Sequence, residues 1–177
     1  KLIVGSDLWL TDGEDVSSPA MVTVLVQNDT GYRHLTQLIS RAYQQGQSQG
    51  RAVVQRQWLR ELSAGLIVLS GGRHGDIGRA LQAGHMADAQ ALLCGWQRDF
   101  SDRFYLEVQR TDRVGDEQYL HAAVALAAET GCPLVATNDV RFIEREDFEA
   151  HEVRVCINDG RTLDDTRRER RYSEEQY

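Results

Sequence analysis

The stretch Gly65-Leu66-Ile67-Val68-Leu69-Ser70-Gly71-Gly72-Arg73-His74-Gly75-Asp76-Ile77-Gly78 sets the fold class. Its consecutive aliphatic side chains Leu66 to Leu69 read as a compact strand, and the glycines behind them mark a turn that opens a helix. The same unit recurs on both sides. Toward the carboxyl end, a helical stripe of Ala89, Leu92, Leu93, Trp96 and Phe100 precedes the strand Phe104 to Val108. A second stripe, Leu120, Ala123, Val124 and Ala127, follows that strand and meets a left-handed stop at Thr130-Gly131. Leu134-Val135-Ala136-Thr137 reads as a buried strand, and Phe148, Glu152 and Val155 place a helix after it that Asp159-Gly160 ends. Toward the amino end, Ile3 to Leu10 and Met21 to Val26 read as strands. The polar segments Thr11-Asp12-Gly13-Glu14-Asp15 and Ser17-Ser18-Pro19 join them closely enough for antiparallel neighbours. Asn28-Asp29-Thr30 caps a helix carrying Leu35, Leu38, Ile39, Ala42 and Tyr43. Gly46 to Gly50 reads as a flexible loop, and Trp58, Leu59 and Leu62 as a short helix. Strands alternating with helices specify an α/β fold.

Composition narrows the classes. A chain of 177 residues with 41% hydrophobic and 27% charged side chains supports one domain with a sizeable core, and we read neither an internal repeat nor a domain boundary in it. A formal charge of -7 argues against a surface dedicated to the phosphate backbone. No apolar run approaches the ~18 residues of a membrane span and no basic, then apolar, leader opens the chain, which reads as cytoplasmic. Cys94, Cys132 and Cys156 have neither the number nor the spacing of a disulfide framework or a zinc site, and read as buried thiols. Beyond Gly160 the arginines Arg161, Arg167, Arg168, Arg170 and Arg171 alternate with Asp164, Asp165, Glu169, Glu174 and Glu175, the pattern of a solvated connector. The chain opens without Met on an apolar pair and closes on a polar run, as an excised segment would.

Functional groups of open α/β sheets and barrels collect where the carboxyl ends of the strands converge. Four segments read as such ends: Gly5-Ser6-Asp7, Ser70-Gly71-Gly72-Arg73-His74, Gln109-Arg110-Thr111-Asp112 and Asn138-Asp139-Val140-Arg141. Asp7, His74, Asp112 and Asp139 are the candidates for a divalent-ion site; the alternative is that they cap turns and helices. Gly71 to Gly78 has the setting of a phosphate loop but neither its Lys-Ser/Thr pair nor its glycine spacing, so close backbone packing explains it equally well. His34, His85, His121 and His151 lie in or beside helices without HxxxH spacing and read as surface or half-buried side chains. There is no GxSxG elbow and no nucleophilic cysteine signature.

Several strings taken together are recognisable: Ile3-Val4-Gly5-Ser6-Asp7, Asn28-Asp29-Thr30-Gly31-Tyr32, Gly65 to Gly72, Tyr119-Leu120-His121-Ala122-Ala123, Val135-Ala136-Thr137-Asn138-Asp139-Val140-Arg141-Phe142 and Tyr172 to Tyr177. In this order they resemble the polymerase-and-histidinol-phosphatase (PHP) domain of bacterial DNA polymerase III alpha subunits. The resemblance implies a distorted (β/α) barrel present in part, lacking its first strand-helix units, with residues 1-160 as the domain fragment and 161-177 as a polar connector toward a polymerase domain.

Metal-binding members hold a trinuclear cluster through His, Asp, Glu and Cys at strand ends. By that resemblance the corresponding positions here are Asp7, Met21, Gly72, Asp139 and Arg141, and three of the five, Met21, Gly72 and Arg141, offer no ligand atom. A guanidinium cannot be deprotonated near neutral pH, so Arg141 is expected to pair with Asp139 where a cation would sit. The resemblance therefore implies a vestigial site with no catalytic residue and no cofactor in this piece, the magnesium belonging to the parent polymerase domain. It also implies docking of the proofreading exonuclease subunit, epsilon, among other holoenzyme subunits, with DNA held by the parent and no membrane contact. The alternative is a metal-dependent phosphoesterase or 3'-5' exonuclease, with Asp7 and Asp139 as ligands and His74 as an acid or base.

Overall fold

Alternating burial along the strands determines how the layers stack. The computed structural model describes residues 2-13, 17-48 and 50-177; Lys1, Glu14, Asp15, Val16 and Gln49, and the parts of the expected connection and loop that fall on them, lie outside the described residues. Its elements are β1 (Gly5–Thr11), β2 (Ala20–Val26), α1 (Asp29–Gln45), β3 (Gln47–Ser48), β4 (Arg51–Gln55), α2 (Arg56–Glu61), β5 (Leu66–Leu69), α3 (Asp76–Gln82), α4 (Met86–Phe100), β6 (Phe104–Gln109), α5 (Asp116–Thr130), β7 (Leu134–Thr137) and α6 (Phe148–Asp159). The seven strands form one sheet in the order β3-β4-β1-β2-β5-β6-β7.

β1 runs antiparallel to β2, as the short connection predicts, with Asp7 opposite Thr23 and Trp9 opposite Met21. β2 is also antiparallel to β5, whereas β1 is parallel to β4 and β5, β6 and β7 are mutually parallel. The carboxyl ends of β5, β6 and β7 therefore meet the start of the reversed β2 at one rim of the sheet. Leu8 and Leu10, Val22 and Val24, Leu66 and Val68, and Phe104, Leu106 and Val108 are buried in one core with Leu35 and Leu38 of α1, Ile77 of α3, Leu93 and Trp96 of α4 and Ala123 of α5. The residues between them, Trp9, Met21, Thr23, Leu25, Ile67 and Tyr105, stand on the other face and are only partly buried.

Local signals act where the sequence places them. Asn28 accepts a hydrogen bond from the Gly31 amide at 3.1 Å and caps α1. Gly131 and Gly160 close α5 and α6 with φ of 68° and 64°. Gly31 has a second reason to be glycine, because a Cβ there would lie 1.9 Å from the Gly65 carbonyl oxygen, where α1 crosses the start of β5.

Three expectations are corrected. The loop from Gly46 to Gly50 includes β3, which pairs with β4 in a strand couple that puts Val53 and Val54 into the interior. β7 is the sheet's outer strand, so Leu134 and Ala136 are exposed rather than buried. Cys94 faces outward from α4 and is exposed, while Cys132 and Cys156 are buried as expected. Most of residues 161-177 are exposed, with local anchors where Arg168 pairs with Glu152, Arg171 pairs with Asp159 and Gln176 is buried. Among the described residues no helix is long and apolar enough to cross a membrane.

Candidate functional site

The rim of the sheet is assembled from three turns. The first follows β5. Gly71 takes φ 75° and a Cβ on it would lie 2.0 Å from the Met21 carbonyl oxygen, which locks this turn onto the start of β2. The glycines after it do the same: side chains at Gly75 and Gly78 would strike the Ser70 and Gly72 carbonyls at 1.8 and 2.1 Å. Close backbone packing accounts for glycine at these three positions. The short helix α3 that it opens already has a carboxylate at its start, because Asp76 accepts from the Ile77 amide at 2.7 Å and from the Trp96 indole at 2.9 Å.

The second turn follows β6 and carries most of the polar chemistry. Ser70 accepts from the Glu107 amide at 2.9 Å and Tyr119 donates to the Glu107 carbonyl at 2.5 Å, which pins this strand in the interior. The Glu107 carboxylate, 4% exposed, accepts from Thr137 at 2.5 Å and Gln109 at 3.4 Å through one oxygen. Its other oxygen, Oε2, has no hydrogen-bond partner among the described residues. Burial, with the nearby Asp7 charge adding to it, raises the Glu107 pKa above the usual carboxylate range.

At the head of α5, Asp116 accepts from the Thr111 amide at 3.1 Å and hydroxyl at 2.8 Å, and from Arg73 at 2.8 Å. Burial pushes its pKa up, but the Thr111 hydrogen bonds and the Arg113 charge outweigh that and hold it below the usual range.

The third turn follows β7 and meets the second through Arg113. Asp139, at φ 46°, aims its carboxylate back across the rim. Arg113 donates to Asp139 Oδ2 at 2.9 Å and to Gln109 Oε1 at 3.0 Å, with its Nε 3.6 Å from Asp116. Arg141 lies 2.6 Å from Asp139 Oδ1, and Gln176 donates to Oδ2 at 2.9 Å. The expected Arg141–Asp139 pair is thus formed, and a second guanidinium holds the other oxygen of the same carboxylate. Outside this cluster lies a cleft of about 620 Å³ lined by Arg73, His74, Arg113, Arg141 and Tyr172 among others. Desolvation, followed by the charges of Arg113 and Arg73, keeps the His74 pKa below its ordinary value.

Of the positions singled out by sequence, Gly72, Asp139 and Arg141 are joined through Gln109 and Arg113. A side chain on Gly72 would point within 3.3 Å of Gln109. Met21 meets the same rim by its backbone. Asp7 does not stand at a strand end: it lies in the first half of β1, is exposed, and accepts from Thr23 at 2.6 Å. Asp112 is exposed at φ 56°, so it serves the turn while the next residue, Arg113, makes the contacts. Among the histidines, His151 is buried rather than half-buried, packed 4.7 Å from Tyr172 and 5.6 Å from Phe142, and burial lowers its pKa.

The sequence reading missed Glu107, Gln109, Arg113 and Gln176. Glu107 and Gln109 had a signal, being polar residues at alternate positions of an otherwise apolar strand. Asp139 has its acceptors taken by two guanidinium groups and an amide, and no group of three or more His, Cys, Asp and Glu placed to hold a metal ion occurs among the described residues. The donor set does not fit the family's trinuclear cluster.

The chain is 55% identical over all its 177 residues to DNA polymerase III subunit alpha of Pseudomonas aeruginosa, and 54% identical over the same length to that of Escherichia coli strain K12. The corresponding protein of Haemophilus influenzae is 43% identical. The chain spans 15% of the length of these relatives. The model of the PHP domain family matches residues 1–111, which contain six of the seven strands, all but β7. With that match over more than half its length and a likeness to polymerase III alpha subunits along all of it, the chain belongs to the PHP domain family.

Proposed function

We propose that this chain is the PHP piece of a replicative DNA polymerase III alpha subunit, acting in the cytoplasm as a non-catalytic scaffold that docks the proofreading exonuclease subunit. The observation that carries the reading is the double occupation of Asp139 by Arg113 and Arg141 at 2.9 and 2.6 Å. Two fixed positive charges repel cations from the one rim carboxylate retained from the family's ligand positions, while Met21 and Gly72 supply no donor. Asp7, Met21, Gly72, Asp139 and Arg141 are in this reading the remains of a metal site, with the ion replaced by ion pairs that tie the turns together. The half-covered face bearing Trp9, Met21, Leu25, Ile67 and Tyr105 supports a barrel present in part, whose first strand-helix units would complete it. Nucleotidyl transfer, its magnesium and the DNA contacts belong to the parent polymerase domain.

The test is calorimetry of the complete alpha subunit against its exonuclease subunit, with the PHP domain present and deleted. Binding lost on deletion supports the docking role. Binding kept by a folded polymerase without this domain refutes it.

A further inference from the structure

The segment that closes the chain crosses the rim with more contacts than a connector needs. Gln176 is 0% exposed, and its side-chain amide, side-chain oxygen and carbonyl all make hydrogen bonds at the rim. Its side-chain amide donates to the Asp139 carboxylate at 2.9 Å and carbonyl at 3.2 Å, its side-chain oxygen accepts from the Ser173 amide at 3.0 Å, and its carbonyl accepts from the Arg141 amide at 2.8 Å. Asn138 donates to the carbonyls of Glu175 and Tyr177 at 2.9 and 2.7 Å, one nitrogen bridging two carbonyls that the turn at Glu174-Glu175 brings together. Ser173 donates to the Thr111 carbonyl in the turn after β6. Tyr172 is held edge-on to His151 and lies 5.6 Å from the Arg141 guanidinium.

Two turns of the rim therefore grip one run of six residues, and the left-handed backbone of Asp139 is what turns both its carbonyl and its carboxylate toward Gln176. Aspartate is among the few non-glycine residues that adopt this conformation readily. Ordering a segment without helix or strand costs conformational entropy, which exposed contacts alone rarely offset.

We propose that the rim is an intramolecular socket and that residues 172-177 are its latch, seated by Gln176 and Asn138, fixing the place and heading at which the chain leaves the sheet. This rests on the scaffold reading, since it gives Asp139 a use in which no metal takes part. The exposed pairs of Arg145 with Glu174 and Glu175 lie at the edge of the latch and contribute little to it.

The test is hydrogen exchange read by mass spectrometry on this chain and its variants Gln176→Ala, Asn138→Ala and Arg145→Gln. Gln176→Ala and Asn138→Ala each speed exchange in residues 138-143 and 170-177 by about ten-fold or more, with α1, β2 and β5 unchanged, because each removes buried hydrogen bonds of a locally opening unit. Arg145→Gln leaves both regions within about two-fold of the parent. The latch is refuted if residues 170-177 exchange like an unstructured chain in the parent, or stay protected in both Gln176→Ala and Asn138→Ala. Should Gln176→Ala open the entire molecule, a chain ending at Ser173 decides: opening confined to 138-143 supports the latch and global opening contradicts it. Stoichiometric metal in the parent would overturn the scaffold reading while leaving these exchange rates as measured, so the two failures are told apart.

Discussion

Replacing Asp139 by Ala removes the one carboxylate shared by Arg113, Arg141 and Gln176, and the cost can be built from the structure. The Arg113 side chain is 10% exposed, so its guanidinium cannot simply rehydrate, and stranding one partner of a buried pair costs about 3–5 kcal/mol. Gln109 at 3.0 Å and Asp116 at 3.6 Å still serve Arg113, which puts this part at the low end, about 3 kcal/mol. Arg141, 39% exposed, is screened by solvent and adds well under ~1 kcal/mol. The Gln176 hydrogen bond contributes about 1 kcal/mol. These contacts share one group and do not add fully, so Asp139→Ala should destabilise by roughly 4 kcal/mol. With a urea slope of about 2 kcal/mol/M for a chain of this size, the unfolding midpoint falls by about 2 M. Asp139→Asn keeps a residue that tolerates φ 46° and one acceptor oxygen, and should lose about half as much. Circular dichroism in urea reads both, with and without a strong chelator. Midpoints within about 0.3 M of the parent for both variants would refute the proposed ion-pair cluster. So would a chelator that reproduces the Asp139→Ala shift in the parent.

Other outcomes follow from particular residues. Glu107 has its pKa raised in the folded state, so the fold binds its proton more tightly than the unfolded chain does; its contribution favours folding at low pH and is lost as pH rises above the ordinary carboxylate value of 4.5 through the folded pKa. Urea midpoints measured across that window should therefore fall less with rising pH in Glu107→Gln than in the parent, and identical slopes would contradict the assignment. Asp116 has the opposite sign: its lowered pKa gives stability that is present above the unfolded value and lost as pH falls through the folded one, a loss that Asp116→Asn should remove from acid titrations followed by circular dichroism. Gly31→Ala should cost about 3 kcal/mol or more by overpacking against the Gly65 carbonyl. Gly84→Ala, at φ 75° with nothing within 4 Å of the new Cβ, should cost only about 1 kcal/mol, and thermal melting ranks the two. A thiol reagent should modify Cys94 at once and Cys132 and Cys156 only on unfolding, the Cys132 thiol being also raised in pKa by burial; prompt reaction of all three would show the interior to be open.

What could be read in the sequence was what local physics decides. Leu66 to Leu69, the Asn28 cap and the glycine stops at Gly131 and Gly160 each carry their own reason within a few residues. β4 was invisible because Ala52, Val53 and Val54 are too few to show a period, and its place beside β1 is set by pairing rather than by composition. The outer position of β7 is likewise a property of strand order, which a run of aliphatic residues does not encode. At the rim, the Asp139–Arg141 pair was legible because charge chemistry predicts it from two residues two positions apart, at positions the resemblance singles out. Arg113 was not, since its reach to Asp139 depends on the turn made by Asp112, and Gln176 arrives from 37 positions away with no pattern to announce it.

The most direct measurement is the metal content of this chain after exchange into zinc- and manganese-containing buffer and gel filtration, read by elemental analysis beside its Arg141→His variant. A rim closed by Arg113 and Arg141 predicts less than about one ion per ten chains in both proteins, because Met21 and Gly72 remain without ligand atoms even when the guanidinium is replaced. One or more ions per chain in the parent, removed by Asp139→Ala, would show a working metal centre and overturn the scaffold reading.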